Sequence, residues 1–245
     1  MMHPLIALLA AASLAVAHVV ADQLRFLSGT PRSRWLSIAG GVSVAYVFLH
    51  LLPELGAGQE VVAEAAGEAL AFLEHHVYLI ALLGLAIFYG LDRAAVHSRR
   101  QSQAEGEADE TEQGVFWLHM ASFGVYNTLI GYLLVHREQE SMIGFLLFVI
   151  AMALHFVVND YGLREHHKRD YDRSGRWVLV ATLFLGYGLG LVFTLAEATI
   201  AILVAFLAGG IILNVLKEEL PEERASRFSA FALGAGLYAV LLLAL

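Results

Sequence analysis

Eight long apolar stretches, joined by short polar segments, follow one another along the chain. Each is about 20 residues long, the length that an α-helix needs to cross the hydrocarbon core of a bilayer. Only residues 196–198 separate the sixth stretch from the seventh, so one long bent helix is the alternative there. The pattern predicts an all-α polytopic membrane protein whose eight transmembrane helices cover residues 4–24, 36–55, 74–92, 115–136, 141–162, 177–195, 198–216 and 228–245.

Polar side chains interrupt the fourth and fifth stretches at helical spacing. His155 and Asn159 are four residues apart and therefore share one face of a helix. Asp160 follows them, and Asn127 lies in the preceding stretch. Ionisable side chains inside a membrane span are costly and are usually functional. The spacing indicates a path for a cation or a proton between these two helices, and a polar seam that only joins the helices is the structural alternative.

Composition supports the membrane assignment and excludes several kinds of site. Apolar residues make up 58% of the chain and charged residues 16%, and the mean hydropathy is +0.66. Soluble globular chains have about 45–50% apolar and about 25% charged residues. The chain contains no cysteine, which rules out disulfides, thiolate metal sites and cysteine nucleophiles.

Lysine and arginine are distributed unevenly between the connections. They follow the first, third, fifth and seventh stretches, whereas the opposite connections contain only Arg137. Because cytoplasmic loops collect basic residues, we expect both termini outside the cytoplasm, in a protein of the cytoplasmic membrane. The basic residues are spread over four loops without interleaved aromatic residues, so nucleic-acid binding is not expected.

Three polar segments have simple structural interpretations. Residues 98–114 are highly charged and poor in apolar residues, which predicts a disordered cytoplasmic loop within an otherwise single transmembrane domain covering residues 1–245. Residues 164–173 (REHHKRDYDR) are interpreted as a solvated basic loop, with weak metal binding by its two histidines as the alternative. His18 and Asp22, near the inner end of the first stretch, are interpreted as a pair at the membrane interface, with a first-helix contribution to a metal site as the alternative.

A short pattern occurs twice along the chain. Residues 39–41 (AGG) precede 52–54 (LPE), which are predicted to close the second helix, and residues 208–210 (AGG) precede 220–222 (LPE). In the predicted topology the two copies run in opposite directions, as in inverted repeats whose binding site lies near the bilayer midplane. Chance similarity is the alternative. The repeat predicts three helices, two central helices and three more.

These features together resemble the ZIP family of divalent-metal transporters over essentially the whole chain. Residues 50–54 (HLLPE) are similar to the family's H-x-L-P-[DE] motif, and residues 208–222 to its A-G-x…L-P-E segment. Residues 126–131 (YNTLIG) fall at its H-N-x-x-[DE]-G motif and residues 155–160 (HFVVND) at its H-E-x-P-H-E motif. The resemblance implies eight spans in a 3+2+3 inverted-repeat arrangement, with a metal site between helices four and five.

The metal-site motifs depart from the family pattern at several positions. Tyr126 and Ile130 stand where the family has a histidine and a carboxylate, and Phe156 stands where it has a bridging carboxylate. Without these groups the family's two-metal centre cannot form, because zinc takes about four N, S or O ligands. The motif positions that keep ligand-forming side chains are Asn127, His155, Asn159 and Asp160.

Side chains outside these two motifs could complete a metal site. We expect contributions from His50, Glu54 and Glu197, of which the first two are four residues apart. A site rebuilt from imidazoles and carboxylates suits a divalent ion of the first transition row. That rebuilt set is His50, His155, Asp160 and Glu197.

The resemblance implies a transporter that moves a divalent metal cation of the zinc, manganese or iron class by alternating access. The alternative is a ZIP-fold protein that moves no metal and instead binds a partner, regulates or carries another solute. An enzyme is not expected, since residues 155–159 (HFVVN) lack the base and the second ligand of an H-E-x-x-H site. We expect no tightly bound cofactor, a metal ion as substrate and lipid around the helices, and a homodimer is compatible with this interpretation.

Overall fold

A computed structural model describes residues 3–20, 34–66, 76–104, 112–136, 142–219 and 227–243. Within these ranges the chain is helical apart from short connections. Two π-helical segments interrupt it, Val47–Leu51 between α2 and α3 and Tyr171–Gly175 between α6 and α7. The α-helices are α1 Pro4–Val20, α2 Arg34–Tyr46, α3 Leu52–Ala66, α4 His76–Ala104, α5 Gln113–His136, α6 Met142–Asp170, α7 Arg176–Val192, α8 Glu197–Glu219 and α9 Phe228–Leu243.

The described helices confirm an all-helical, membrane-like architecture. Six helical segments in the described part of the chain are long and apolar enough to cross a membrane: Ser37–Ala65, Val77–Ala104, Gln113–His136, Met142–Arg164, His166–Val192 and Glu197–Lys217. Two further apolar helices, α1 and α9, are shorter, with 17 and 16 residues, and correspond to the first and eighth predicted spans. The eight-span count therefore stays a prediction.

The second predicted helix does not end at its proline. Pro53 is the second residue of α3, which continues to Ala66. The Leu52 N–H bonds to the Val47 carbonyl, five residues back, so the hydrogen-bond pattern has already shifted when the proline is reached. A proline in the first turn of a helix removes an N–H that has no essential partner there. Residues 220–222, the second LPE, lie outside the described residues.

The connection between the sixth and seventh predicted helices is a break. Helix α7 ends at Val192, and Phe193 has extended backbone angles of φ −118° and ψ 140°. Helix α8 begins at Glu197. The alternative of one bent helix is therefore wrong.

The predicted disordered loop begins later than residue 98. Helix α4 continues to Ala104, and Ser98 and Ser102 are buried. The Glu112 N–H donates a hydrogen bond of 2.8 Å to the Ser98 hydroxyl, which ties this helix end to the start of α5. Residues 105–111 of the predicted loop lie outside the described residues.

The chain groups into two compact units, where the sequence pattern suggests one domain. Unit 1 comprises Met1–Arg25 and Gly90–Thr194, and unit 2 comprises Phe26–Tyr89 and Leu195–Leu245. Unit 1 thus contains α1, the end of α4, α5, α6 and α7, and unit 2 contains α2, α3, the start of α4, α8 and α9. Each predicted triplet contributes its first helix, α1 or α7, to unit 1. The first helix of each triplet is thus grouped in the same way. The opposite orientation of the two triplets in the membrane stays a prediction.

Glycines allow close helix crossings within both units. In unit 1, α5 packs along α7, and a Cβ at Gly131 or Gly186 would overlap the backbone of the facing helix. In unit 2, a Cβ at Gly41 would overlap the Phe231 carbonyl of α9, and one at Gly209 would overlap the Ala81 carbonyl of α4. The repeated AGG pattern therefore has a packing role, because each copy provides a glycine where two backbones meet.

Candidate functional site

The centre of unit 1 is a buried hydrogen-bonded triad of His18, Asn127 and Asp160. The His18 Nδ1 atom lies 2.7 Å from Asp160 Oδ2, and its Nε2 atom lies 2.8 Å from Asn127 Oδ1. His18 is 1% exposed, and Asn127 and Asp160 are 0% exposed. The three side chains come from α1, α5 and α6, so one imidazole joins three helices.

The direction of these hydrogen bonds follows from the asparagine. Its Nδ2 group donates 2.8 Å to the Phe123 carbonyl one turn earlier, so Oδ1 is the acceptor and His18 Nε2–H is the donor. A distance of 2.7 Å between His18 Nδ1 and Asp160 Oδ2 requires a proton between them. The pair therefore holds one proton more than an ionised carboxylate and a neutral imidazole would, and the net charge of the triad is zero.

Aromatic rings enclose the triad on the α6 side. Phe156 stacks on the His18 ring with centroids 4.5 Å apart and an interplanar angle of 26°. Tyr126 packs against Phe156 in turn, at 6.4 Å, and both are fully buried. In such surroundings, charged hydrogen bonds are stronger than in water and unpaired polar groups are costly.

Two polar atoms beside the triad make no direct hydrogen bond to a described residue: Asp160 Oδ1 and Asn159 Nδ2. The hydroxyl of Tyr171 has no hydrogen bond of normal geometry either, but it lies within hydrogen-bonding reach of the Asp160 carboxylate. A buried carboxylate oxygen without a hydrogen bond of normal geometry is unusual. Asp160 Oδ1 is therefore the triad atom that can still accept a closer donor, such as the Tyr171 hydroxyl, or a cation.

The structure brings together two of the four predicted motif ligands. Asn127 and Asp160 meet through His18, whereas His155 packs against aromatic rings. Its ring centroid is 5.8 Å from that of Tyr126 and 6.5 Å from that of Phe156. Among the described residues, His155 interacts through these contacts with the Tyr126 and Phe156 rings. Asn159 is buried on the same face of α6, one turn later.

The other predicted ligands belong to unit 2. His50 Nε2 lies 3.8 Å from Glu54 Oε2, the His50 ring stacks on Tyr46, and both side chains of the ion pair are about one third exposed. Glu197 is the exposed first residue of α8. The rebuilt set of His50, His155, Asp160 and Glu197 draws on both units and stays a prediction. Among the described residues, no three His, Asp or Glu side chains form a group that could hold a metal ion.

His18 has a larger place in the structure than the sequence interpretation favours. In place of a pairing with Asp22, its buried imidazole contacts Asp160 on α6 and Asn127 on α5. Asp22 lies outside the described residues. The signal was present, since His18 is an ionisable side chain inside an apolar stretch, and such residues are functional by default.

A second buried pair lies in residues 164–173, which the sequence predicts to be a solvated loop. Helix α6 extends to Asp170 across a kink at Lys168 (φ 42°, ψ −109°), and His167 Nε2 lies 2.8 Å from His119 Nδ1 on α5. Both imidazoles are buried. Arg164 makes two hydrogen bonds, of 2.6 and 2.8 Å, to the Asp172 carboxylate. This ion pair holds the second π-helical segment against α6, and His167 becomes part of the interior.

Comparison with protein-family models, with curated proteins and with solved structures finds no match to this chain.

Proposed function

We propose that the chain is an integral membrane carrier of a divalent metal cation of the zinc, manganese or iron class, and that Asp160 and Asn127 bind the cation within unit 1. The supporting observation is the fully buried Asp160 carboxylate, whose Oδ1 atom makes no direct hydrogen bond to a described residue. Leaving such an atom unsatisfied costs free energy, and a bound cation would recover it.

The chemistry of the neighbouring groups fits such a cation. Carboxylate and amide oxygens and imidazole nitrogens are common ligands of first-row divalent ions. A tetrahedral zinc site needs about four ligands. The two further ligands would come from His155 and Asn159 on the same face of α6, or from water. The ZIP resemblance supports the same two helices, since its metal motifs fall on α5 and α6.

A second candidate is a ZIP-like membrane protein that moves no metal and acts by binding, by regulation or by carrying another solute. The observation that favours it is that both His18 ring nitrogens already have hydrogen-bond partners, Asp160 Oδ2 and Asn127 Oδ1. Phe156, in the place of a carboxylate, stacks on that ring. The triad then serves as a polar seam that joins α1 to α5 and α6.

Uptake into proteoliposomes separates the two candidates. Purified protein is reconstituted with a metal-sensitive dye inside, and Zn²⁺ or Mn²⁺ is added outside. The native chain should show uptake above that of empty liposomes. Asp160→Asn should lower it by about 10- to 100-fold, corresponding to the roughly 1.5–3 kcal/mol of an interaction with a charged group. Ser122→Ala, a change at a half-buried residue of α5, is the matched control and should behave as the native chain.

Equal flux in native and empty liposomes would leave the second candidate. Uptake by the native chain that Asp160→Asn leaves unchanged would place the cation elsewhere in the protein. Asn127→Ala tests the amide oxygen in the same assay and should lower uptake less than Asp160→Asn, because it removes a dipole and not a charge.

A further inference from the structure

On the basis of the function proposed above, we infer that His18 is a tethered competitor of the transported cation. Its imidazole occupies the Asp160 and Asn127 oxygens, and a metal ion binds them only after His18 has left. His18 is thus a specificity-determining residue, which sets the affinity of the site and its preference for divalent ions.

The distances make the two occupants mutually exclusive. Zinc bonds to carboxylate oxygen at about 2.0–2.2 Å. An ion at that distance from both Asp160 Oδ2 and Asn127 Oδ1 would lie in the space of the His18 ring edge, whose nitrogens are 2.7 and 2.8 Å from the same atoms. The amide oxygen of Asn127 is the acceptor of that side chain, and its Nδ2 group is already bonded to the Phe123 carbonyl.

The charges lead to the same conclusion. With His18 in place the triad is neutral, so a divalent ion entering beside it would add two buried positive charges without compensation. When His18 leaves as an imidazolium it takes the shared proton with it, and the Asp160 carboxylate that remains has a charge of −1 and attracts a cation. A divalent ion gains about twice the Coulomb energy of a monovalent ion at the same distance. Displacement of His18 therefore strengthens the direct Coulomb attraction of a divalent ion more than that of a monovalent ion.

The position of His18 is compatible with withdrawal. Phe156 contacts one face of the ring, while the two hydrogen bonds hold its edge. Withdrawal therefore breaks two hydrogen bonds and one ring contact.

Equilibrium Zn²⁺ binding to the purified full chain in nanodiscs tests the inference. We expect His18→Ala to bind Zn²⁺ about tenfold or more tightly than the native chain, with a larger preference for Zn²⁺ over K⁺. Ser13→Ala, a change at an exposed residue of α1, is the matched control and should leave the affinity unchanged. The double variant His18→Ala/Asp160→Asn should bind no more tightly than Asp160→Asn, because the gain depends on the carboxylate.

His18→Gln keeps the test decisive should His18→Ala fail to fold. It retains an amide donor for Asp160 without a charge and should also bind more tightly than the native chain. Weaker or unchanged binding in the folded His18 variant would overturn the inference, with weaker binding indicating that His18 is itself a ligand. If the His18 variant binds Zn²⁺ and the native chain does not, the result supports the inference but counts against transport by the native chain. If neither the variant nor the native chain binds Zn²⁺, both proposals are overturned.

Discussion

Unit 1 and unit 2 are both built from apolar helices, but they bury different kinds of side chain. In the described part of unit 2 the buried polar residues are Ser37 and Ser43, which are small and neutral. Unit 1 buries imidazoles, amides and a carboxylate. Its buried polar residues are His18, Ser98, Ser102, His119, Asn127, His155, Asn159, Asp160 and His167.

The difference separates two ways of joining helices in an apolar environment. Unit 2 relies on glycine crossings, as at Gly41 and Gly209, where dispersion contacts between backbones replace polar bonds. Unit 1 has such crossings as well, between α5 and α7, but adds hydrogen bonds between ionisable groups. Such groups are costly inside a membrane protein and are therefore rare and usually functional. The chemistry of this protein is therefore expected in unit 1.

The largest expected effect comes from removing the carboxylate of the triad. Asp160→Asn leaves His18 without its counter-charge in an apolar site and should lower the free energy of unfolding by about 3–5 kcal/mol. Unfolding titrations in mixed micelles measure this. Asp172→Asn is the matched control in the same unit, since its ion pair with Arg164 is partly exposed and should contribute about 1 kcal/mol or less. Equal losses of unfolding free energy in both variants would show that burial does not make the His18–Asp160 interaction stronger than the partly exposed Arg164–Asp172 ion pair.

The next effect concerns the glycine crossings of unit 2. Gly41→Ala places a Cβ against the Phe231 carbonyl and should cost about 1–3 kcal/mol of stability, because the backbones must separate. Gly236→Ala on α9 is the matched control, with nothing within 4 Å of the added carbon. It should be neutral or slightly stabilising. Zn²⁺ affinity should be the same in both folded variants, and a change in Gly41→Ala alone would contradict the assignment of the site to unit 1.

A smaller effect is expected at the second histidine pair. His119→Leu and His167→Leu should each lower the free energy of unfolding by about 1–3 kcal/mol, since each leaves a buried imidazole nitrogen without the 2.8 Å contact. The double variant should lose less than the sum of the single losses, as for two groups in direct contact. A double-variant cycle by thermal unfolding measures the coupling. Additive losses would mean that this contact contributes nothing to stability.

The smallest effect is expected at the ion pair of unit 2. His50 and Glu54 are 3.8 Å apart and about one third exposed, so His50→Ala or Glu54→Gln should change stability by about 0.5 kcal/mol or less. Neither should alter Zn²⁺ affinity if the cation binds in unit 1. An affinity loss of about tenfold in both variants would instead support the metal site rebuilt across His50 and Glu197.

Periodicity predicted most of the helices because each apolar stretch is a local property of the chain. Its failures occur where a distant contact changes the outcome. Pro53 looks like a helix end, but a π-helical segment before it shifts the hydrogen bonds and the helix continues. Residues 164–170 look like a solvated loop, but the Arg164–Asp172 ion pair and the His119 contact hold them in a helical segment in which His167 is buried.

Composition and periodicity are enough to establish an apolar, all-helical chain and to place Asn127, His155, Asn159 and Asp160 among the polar residues of its central helices. Which of these side chains meet depends on tertiary packing. His18 and Asp160 are 142 positions apart, and no local pattern reports a contact at that separation. An ionisable group in an apolar helix must find a partner, but the packing of α1 against α5 and α6 selects that partner. For the same reason His155, which lies four residues before Asn159 on α6, is found in a cluster of aromatic rings and apart from the triad.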